Sequence, residues 1–290
     1  AIAAGMAKKV LLADNLGIVV GNGWARLDEL SAPAAWLVIL GYTLQLYLDF
    51  SGYCDIASGA ARLLGLRLPV NFNSPYRSLS VGEFWKRWHI TLTRFLRQYI
   101  YFPLGGSRKG ELRTYGNILL VFLASGLWHG ANWTFLLWGL LHGIANALTR
   151  KFSAYWTKMH AVMQWGITFL FINVTWVIFR ADSISQAGRF LRKIVEMQSF
   201  TVHEDLLKCF VLPEFTFLLQ TLHLEQALSG IRGLAMAGLL IFCFFLTLNG
   251  KNAYARKWEI TGKSAVFTVV LLVWSVLSLT GVSVFLYFNF

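Results

Sequence analysis

Long apolar runs alternate with short polar connections along the chain. The runs fall at about 33–51, 116–148, 162–179, 233–249 and 264–288. About 20 apolar residues in a helix cross the hydrocarbon core of a bilayer, so each run is long enough for a membrane-spanning helix. The pattern predicts an all-α, polytopic membrane protein with residues 1–290 in one domain.

The run at 116–148 is too long for a single straight crossing. Gly126, Gly130 and Asn132 weaken helix propensity in its middle, so we expect two helical pieces that meet near Trp128–Asn132. A break at membrane depth is tolerated where it lines a cavity or is buried in protein. A plain glycine kink and a functional site are both compatible with this pattern.

His129 lies in this break, and His142 is the only other titratable side chain of the run that follows Tyr115. An imidazole at this depth must face the protein interior or a wet cavity. Because histidine titrates near neutral pH, it suits a general base, and we interpret His129 as the catalytic centre of a membrane-embedded transferase. We interpret His142 as an interhelical hydrogen-bonding group.

A metal site is not expected at these histidines. Thirteen residues of continuous helix would place His142 about 20 Å from His129 along the axis. Neither has a Cys, Asp or Glu at ligand spacing, whereas zinc sites use three or four such ligands.

The composition excludes an ordinary soluble domain. The 290 residues are 56% hydrophobic and 14% charged, where a soluble domain carries about 25% charged residues. The net charge is +12. In so apolar a chain this charge favours anionic lipid headgroups of the bilayer over nucleic acid as the partner.

The connection at 62–115 is strongly basic, with ten Lys or Arg residues and two acids. The positive-inside rule assigns it to the cytoplasmic side. Within it, Ser80 and Glu83 form a capping box that predicts one amphipathic interfacial helix to about Tyr101. This helix carries His89, for which interfacial packing and a polar role at the mouth of a reaction channel both stay open.

Asp49 and Asp55 lie at the end of the first apolar run. Acids at that depth need partners, and we expect Arg62 or the basic helix at 86–97 to supply them. A structural ion pair and the orientation of a catalytic histidine are the two roles considered.

Several motifs together resemble the membrane-bound O-acyltransferase (MBOAT) family, and within it the branch that O-acetylates bacterial polysaccharides. The principal ones are FWKRWHITLTR at 84–94, YFPLGG at 101–106 and GLWHGA at 126–131. Supporting matches are KKVLLADN at 8–15, DFSGY at 49–53, TWVIFRA at 175–181 and FLYFNF at 285–290. The chain departs from the family pattern at Gln98 and Ser107, which puts a carrier-docking role near Gln98 in doubt.

The resemblance implies tilted and broken helices around a central tunnel, with interfacial amphipathic helices. His129 matches the near-invariant histidine of the family and His89 the second histidine of the branch. Because the family usually has several more N-terminal spans, we expect this chain to be the C-terminal part. The residues expected to bind substrate are Trp128, Asn132, Asp49, Trp85 and Arg94.

The implied activity is transfer of an acetyl group from a cytoplasmic thioester, acetyl-CoA, to a hydroxyl of an exported polysaccharide such as alginate. Transfer is direct or through a periplasmic acetyltransferase partner, and no cofactor is bound. His129 would be the general base, with His89 or Asn132 orienting the hydroxyl or stabilising the oxyanion. The expected location is the bacterial inner membrane, crossed several times.

Other functions stay open at this point. A transporter or flippase with His129 in a proton relay would also use broken helices. D-alanyl transfer to teichoic acid shares the Arg-Trp-His helix. A non-catalytic scaffold for a polysaccharide complex is a third possibility.

Overall fold

The computed structural model describes residues 1–196, 199–207, 220–223, 225–249 and 261–279. In these ranges the regular structure is helical and no strand occurs, which confirms the all-α prediction. The helices are α1 (Ile2–Met6), α2 (Asp14–Ala25), α3 (Ala32–Leu63), α4 (Val81–Arg87), α5 (Ile90–Leu96), α6 (Glu111–His129), α7 (Trp133–Lys151), α8 (Ser153–Trp156), α9 (Ala161–Arg180), α10 (Ile184–Val195), α11 (Glu225–Asn249) and α12 (Gly262–Leu277). π-Helical segments follow α1 (Ala7–Ala13) and α5 (Arg97–Tyr101).

Three of the described helical segments are long and apolar enough to cross a membrane: Ala32–Leu63, Ala161–Arg180 and Ile231–Leu248. They coincide with the apolar runs at 33–51, 162–179 and 233–249 and confirm that these runs form long apolar helices. The run predicted at 264–288 begins as an apolar helix, Gly262–Leu277, and its remaining residues lie outside the described ranges, as does the FLYFNF motif.

Residues Ala1–Leu68 and the described residues from Arg192 onward form one compact unit. In it, α1 and its π-helical extension pack against α3 through glycines. A Cβ atom at Gly5 would lie 2.6 Å from the Gly52 carbonyl oxygen, and one at Gly52 would lie 2.8 Å from the Gly5 carbonyl oxygen. Since real Cβ atoms do not approach so closely, only glycine allows this backbone contact.

This contact brings two lysines beside the acids of α3. Lys9 Nζ lies 2.6 Å from Asp49 Oδ1 and 2.8 Å from Asp14 Oδ1, and Lys8 Nζ lies 2.7 Å from Asp55 Oδ2. Asp49 and Asp55 are therefore ion-paired as expected, but the partners predicted for them, Arg62 and the basic helix at 86–97, were wrong. The glycine contact between distant segments, which local sequence does not reveal, decides the pairing.

Residues Pro69–Leu191 belong to a second compact unit, in which α6 and α7 form a tight helical hairpin. A Cβ atom at Gly126 would overlap the Phe135 carbonyl oxygen, and one at Gly139 would overlap the Phe122 carbonyl oxygen. The two helix backbones therefore touch. The predicted division of the run at 116–148 into two pieces is confirmed, because α6 ends at His129 and α7 begins at Trp133.

The interfacial helix predicted from Ser80 to Tyr101 is divided in the structure, so the prediction of one helix was wrong. Its start is confirmed, because the Ser80 hydroxyl accepts a 3.1 Å hydrogen bond from the Glu83 backbone N–H. Helix α4 then ends at Arg87, and α5 begins only at Ile90.

Candidate active site

His129 is the last residue of α6, and aromatic rings surround it. Gly130 follows with φ of 152°, a conformation that L side chains rarely adopt, and the helix ends there. The His129 ring centroid lies 5.0 Å from that of Phe179, 5.4 Å from Trp138 and 4.9 Å from Trp128. With 7% of its surface exposed, the imidazole sits in a largely apolar pocket.

His89 occupies the break between α4 and α5 in a left-handed conformation, with φ of 43°. This conformation is uncommon for a residue other than glycine, and such strain is typical of functional sites when neighbours hold it in place. Here the holding residue is Asn71. Its Oδ1 accepts hydrogen bonds from the Thr91 backbone N–H (3.1 Å) and hydroxyl (2.7 Å), and its carbonyl accepts one from Ile90 N–H (3.0 Å).

These hydrogen bonds explain why the predicted helix divides, since Asn71 takes backbone donors that a continuous helix would use itself. They also orient His89, whose Nδ1 lies 3.3 Å from Asn71 Oδ1. Because Oδ1 is an acceptor, the contact favours the tautomer with hydrogen on Nδ1 and the lone pair on Nε2. Burial lowers the pKa of His89 to about 4, so the ring is neutral at pH 7.

Trp128 bridges the two histidines. Its ring centroid lies 6.1 Å from His89 and 4.9 Å from His129, and the indole is half exposed. The structure thus brings His89, Trp128 and His129 together.

His142 is fully buried, and both of its ring nitrogens are engaged. Trp85 Nε1 donates to His142 Nδ1 (3.0 Å), and His142 Nε2 lies 3.0 Å from the Thr175 hydroxyl. That hydroxyl in turn donates to the Ile172 carbonyl (2.9 Å). Because an indole can only donate, Nδ1 is unprotonated and Nε2 is the donor. His142 therefore joins α4, α7 and α9 in the interhelical role predicted for it.

The other residues expected at the site have structural partners or lie elsewhere. Asn132 caps α7, with Oδ1 accepting from Thr134 N–H (3.1 Å) and Nδ2 donating to the Asp182 carbonyl (3.0 Å). Trp85 is buried against His142, Arg94 is exposed on α5, and Asp49 is held by Lys9 in the first unit. Among the described residues, no group of three or more His, Cys, Asp or Glu side chains could hold a metal ion.

A small cleft adjoins the helix face that carries His129. Ser125, one helical turn before His129, contributes to its wall. The remaining lining residues are Trp85, Leu92, Thr93, Leu96, Val121 and Phe122. Sequence reasoning missed this cleft, and it also missed Asn71 and Trp138, because no local spacing signals contacts between residues so far apart in the chain.

Comparison with known proteins identifies similar chains. A family model described as MBOAT, membrane-bound O-acyltransferase family, matches residues 4–184, a range that contains both histidines. The chain is 39% identical to a peptidoglycan O-acetyltransferase of Helicobacter pylori, over 99% of this chain and 55% of the relative.

Two further groups of relatives match shorter ranges. A probable alginate O-acetylase of Pseudomonas syringae is 46% identical over 64% of this chain and 36% of its own length. A teichoic acid D-alanyltransferase of Bacillus subtilis is 30% identical over 49% of this chain and 40% of its own. The chain therefore spans about half, or less, of the length of these relatives.

Proposed function

The chain belongs to the membrane-bound O-acyltransferase family, and from this premise we propose that it transfers an acetyl group from a thioester to a hydroxyl of a bacterial polysaccharide. The observation that carries the proposal is the group formed by His89, Trp128 and His129, in which the Trp128 ring contacts both imidazoles. Relatives named for O-acetylation of peptidoglycan and of alginate support the acetyl group and the polysaccharide acceptor.

In the proposed reaction, His129 accepts the proton of the acceptor hydroxyl as its oxygen attacks the thioester carbonyl carbon. A C–O bond forms, and the carbonyl oxygen becomes an oxyanion. The intermediate then collapses, the C–S bond breaks, and the thiolate takes the proton back from His129. The products are an ester and a free thiol. General base catalysis of this kind contributes about 10²–10⁴ in rate.

His89 is proposed to orient the acceptor. Its neutral ring and the Nδ1–H tautomer set by Asn71 leave a lone pair on Nε2 that suits a hydrogen bond from a hydroxyl. The cleft beside Ser125 has apolar walls that suit the methyl group of an acetyl thioester.

The proposed setting is the bacterial inner membrane, which the protein crosses several times. With its ten basic residues, the connection at 62–115 is assigned to the cytoplasmic side, where acetyl-CoA is available as the donor. The acceptor is reached directly or through a periplasmic acetyltransferase partner.

Substitution of His129 tests the proposal. In membranes containing the full-length protein, His129→Gln should lower transfer of radiolabelled acetyl groups from acetyl-CoA to polysaccharide by at least about 10²-fold. His203→Gln, a change at an exposed histidine, is the matched control and should leave transfer unchanged. Transfer by correctly inserted His129→Gln protein within threefold of the control would overturn the assignment.

A further inference from the structure

Two buried indole N–H groups in the second unit lack a hydrogen-bond acceptor among the described residues. They belong to Trp138 and Trp176, which are 1% and 2% exposed. A buried donor without a partner costs about 1–3 kcal/mol. Such groups are rare in native proteins, and each one calls for an explanation.

Trp138 is the one of the two that lies against His129. Its ring meets the imidazole at 5.4 Å between centroids and an interplanar angle of 89°. Thr134, one turn earlier on the same face of α7, also has a fully buried hydroxyl without a partner among the described residues. The Trp138 indole is therefore a buried donor in contact with the imidazole, and it has no acceptor among the described residues.

Acyl transfer supplies the acceptor that this donor lacks, because an oxyanion forms at the reacting carbonyl. The sequence suggested Asn132 for this role, but both ends of its side-chain amide are used in the cap of α7 and in the contact with Asp182. An indole N–H suits the apolar pocket well, since it carries no charge that burial would penalise.

We propose that the Trp138 Nε1–H group donates a hydrogen bond to the oxyanion that forms when the acceptor hydroxyl attacks the thioester carbonyl. This inference rests on the proposed acyl transfer. Because the donor is fixed in place by packing before the reaction, its hydrogen bond strengthens as negative charge develops on the oxygen. Removal of one such donor typically lowers kcat by about 10²–10³.

Trp138 and Trp176 provide a matched pair for the experiment, because both are buried and the indole N–H of each lacks an acceptor among the described residues. Trp138 and Trp176 stack on each other, 6.2 Å apart with an interplanar angle of 16°, so Phe at either position makes a comparable change in packing. In full-length protein, Trp138→Phe should lower kcat for acetyl transfer from acetyl-CoA by at least about tenfold, with KM within threefold of wild type. Trp176→Phe should leave both constants within threefold of wild type.

A kcat for Trp138→Phe that equals that of Trp176→Phe would overturn the inference. If Trp138→Phe fails to fold, 3-benzothienylalanine at position 138 removes the N–H and keeps the ring size, and the same tenfold loss is expected. The His129→Gln variant separates the two proposals. An inactive His129→Gln with a fully active Trp138→Phe refutes only the donor role of Trp138, whereas an active His129→Gln refutes the acyl-transfer assignment itself.

Discussion

The contact between α6 and α7 makes Gly126 a position where one added methyl group should disturb the site. A Cβ atom there would overlap the Phe135 carbonyl oxygen and lie 3.1 Å from the Phe135 carbonyl carbon. The nearest approach is below the 3.0 Å limit of real Cβ atoms, and ordinary contacts begin at 3.4 Å. In Gly126→Ala the two helices must therefore separate by more than 0.4 Å.

The energetic cost can be estimated from two opposing effects. Overpacking of a close contact costs about 1–3 kcal/mol, whereas replacing a helical glycine by alanine gains about 0.5–1 kcal/mol. We expect Gly126→Ala to lose about 1–2 kcal/mol of stability on balance. His129 lies three residues further along the same helix, and a displacement of about 1 Å at a catalytic group can cost 10²-fold in rate. We therefore expect at least a tenfold loss of acetyl transfer.

Gly116→Ala provides the control within the same helix. An added Cβ atom at Gly116 meets no atom within 4 Å, so only the gain in helix propensity remains. Thermal unfolding in detergent, followed by tryptophan fluorescence, should show a raised Tm for Gly116→Ala and a lowered Tm for Gly126→Ala. Equal Tm values and equal transfer rates for the two variants would refute the role assigned to the helix contact.

Three further predictions concern other parts of the structure. Asn71→Ala removes the oxygen that accepts hydrogen bonds from Thr91 beside His89. The variant should show lower acetyl transfer and a folding stability reduced by about 1–3 kcal/mol, measured by thermal unfolding. An unchanged Tm would contradict this role of Asn71. Lys9→Met leaves the buried Asp49 carboxylate without this partner and should destabilise the protein by about 3–5 kcal/mol, while adding Asp49→Asn should restore part of the folded yield. Burial lowers the pKa of His89 from 6.5 to about 4, so the unfolded state binds the proton more readily than the folded state. The contribution of His89 to folding stability should therefore be complete above pH 6.5 and should decline as the pH falls toward 4. His89→Gln should flatten that part of the unfolding curve, and an identical pH dependence in the two proteins would show that another group causes it.

The features of the fold that depend on local sequence could be predicted. Apolar length and periodicity predicted the helices at 33–51 and 162–179, which the structure confirms. The division of the run at 116–148 was also local information, because it depends on three weak helix formers and on the excess length of the run. The start of α4 followed from the Ser80 cap.

The features that depend on distant contacts could not be predicted. The apolar pattern through Phe84 and Leu96 continues across His89 as in one helix. The hydrogen bonds that Asn71 accepts from the Ile90 and Thr91 backbone N–H groups divide it. In the same way, Asp49 pairs with Lys9 instead of Arg62 because two glycine backbones meet. The orphaned N–H group of Trp138 likewise has no signature in the sequence, because burial by several helices creates it.

The occupied ring of His142 has a consequence for the movement of protons through the hairpin. A histidine conducts a proton by receiving it at one nitrogen and releasing it from the other. At His142, Nδ1 accepts a hydrogen bond from the Trp85 indole, which cannot accept one in return. Nε2 donates to the Thr175 hydroxyl, whose own hydrogen is donated to the Ile172 carbonyl. The His142 ring therefore does not relay protons between the packed helices. In the proposed transfer, a proton accepted by His129 would have no onward path through His142 and would return to the thiolate from His129 itself.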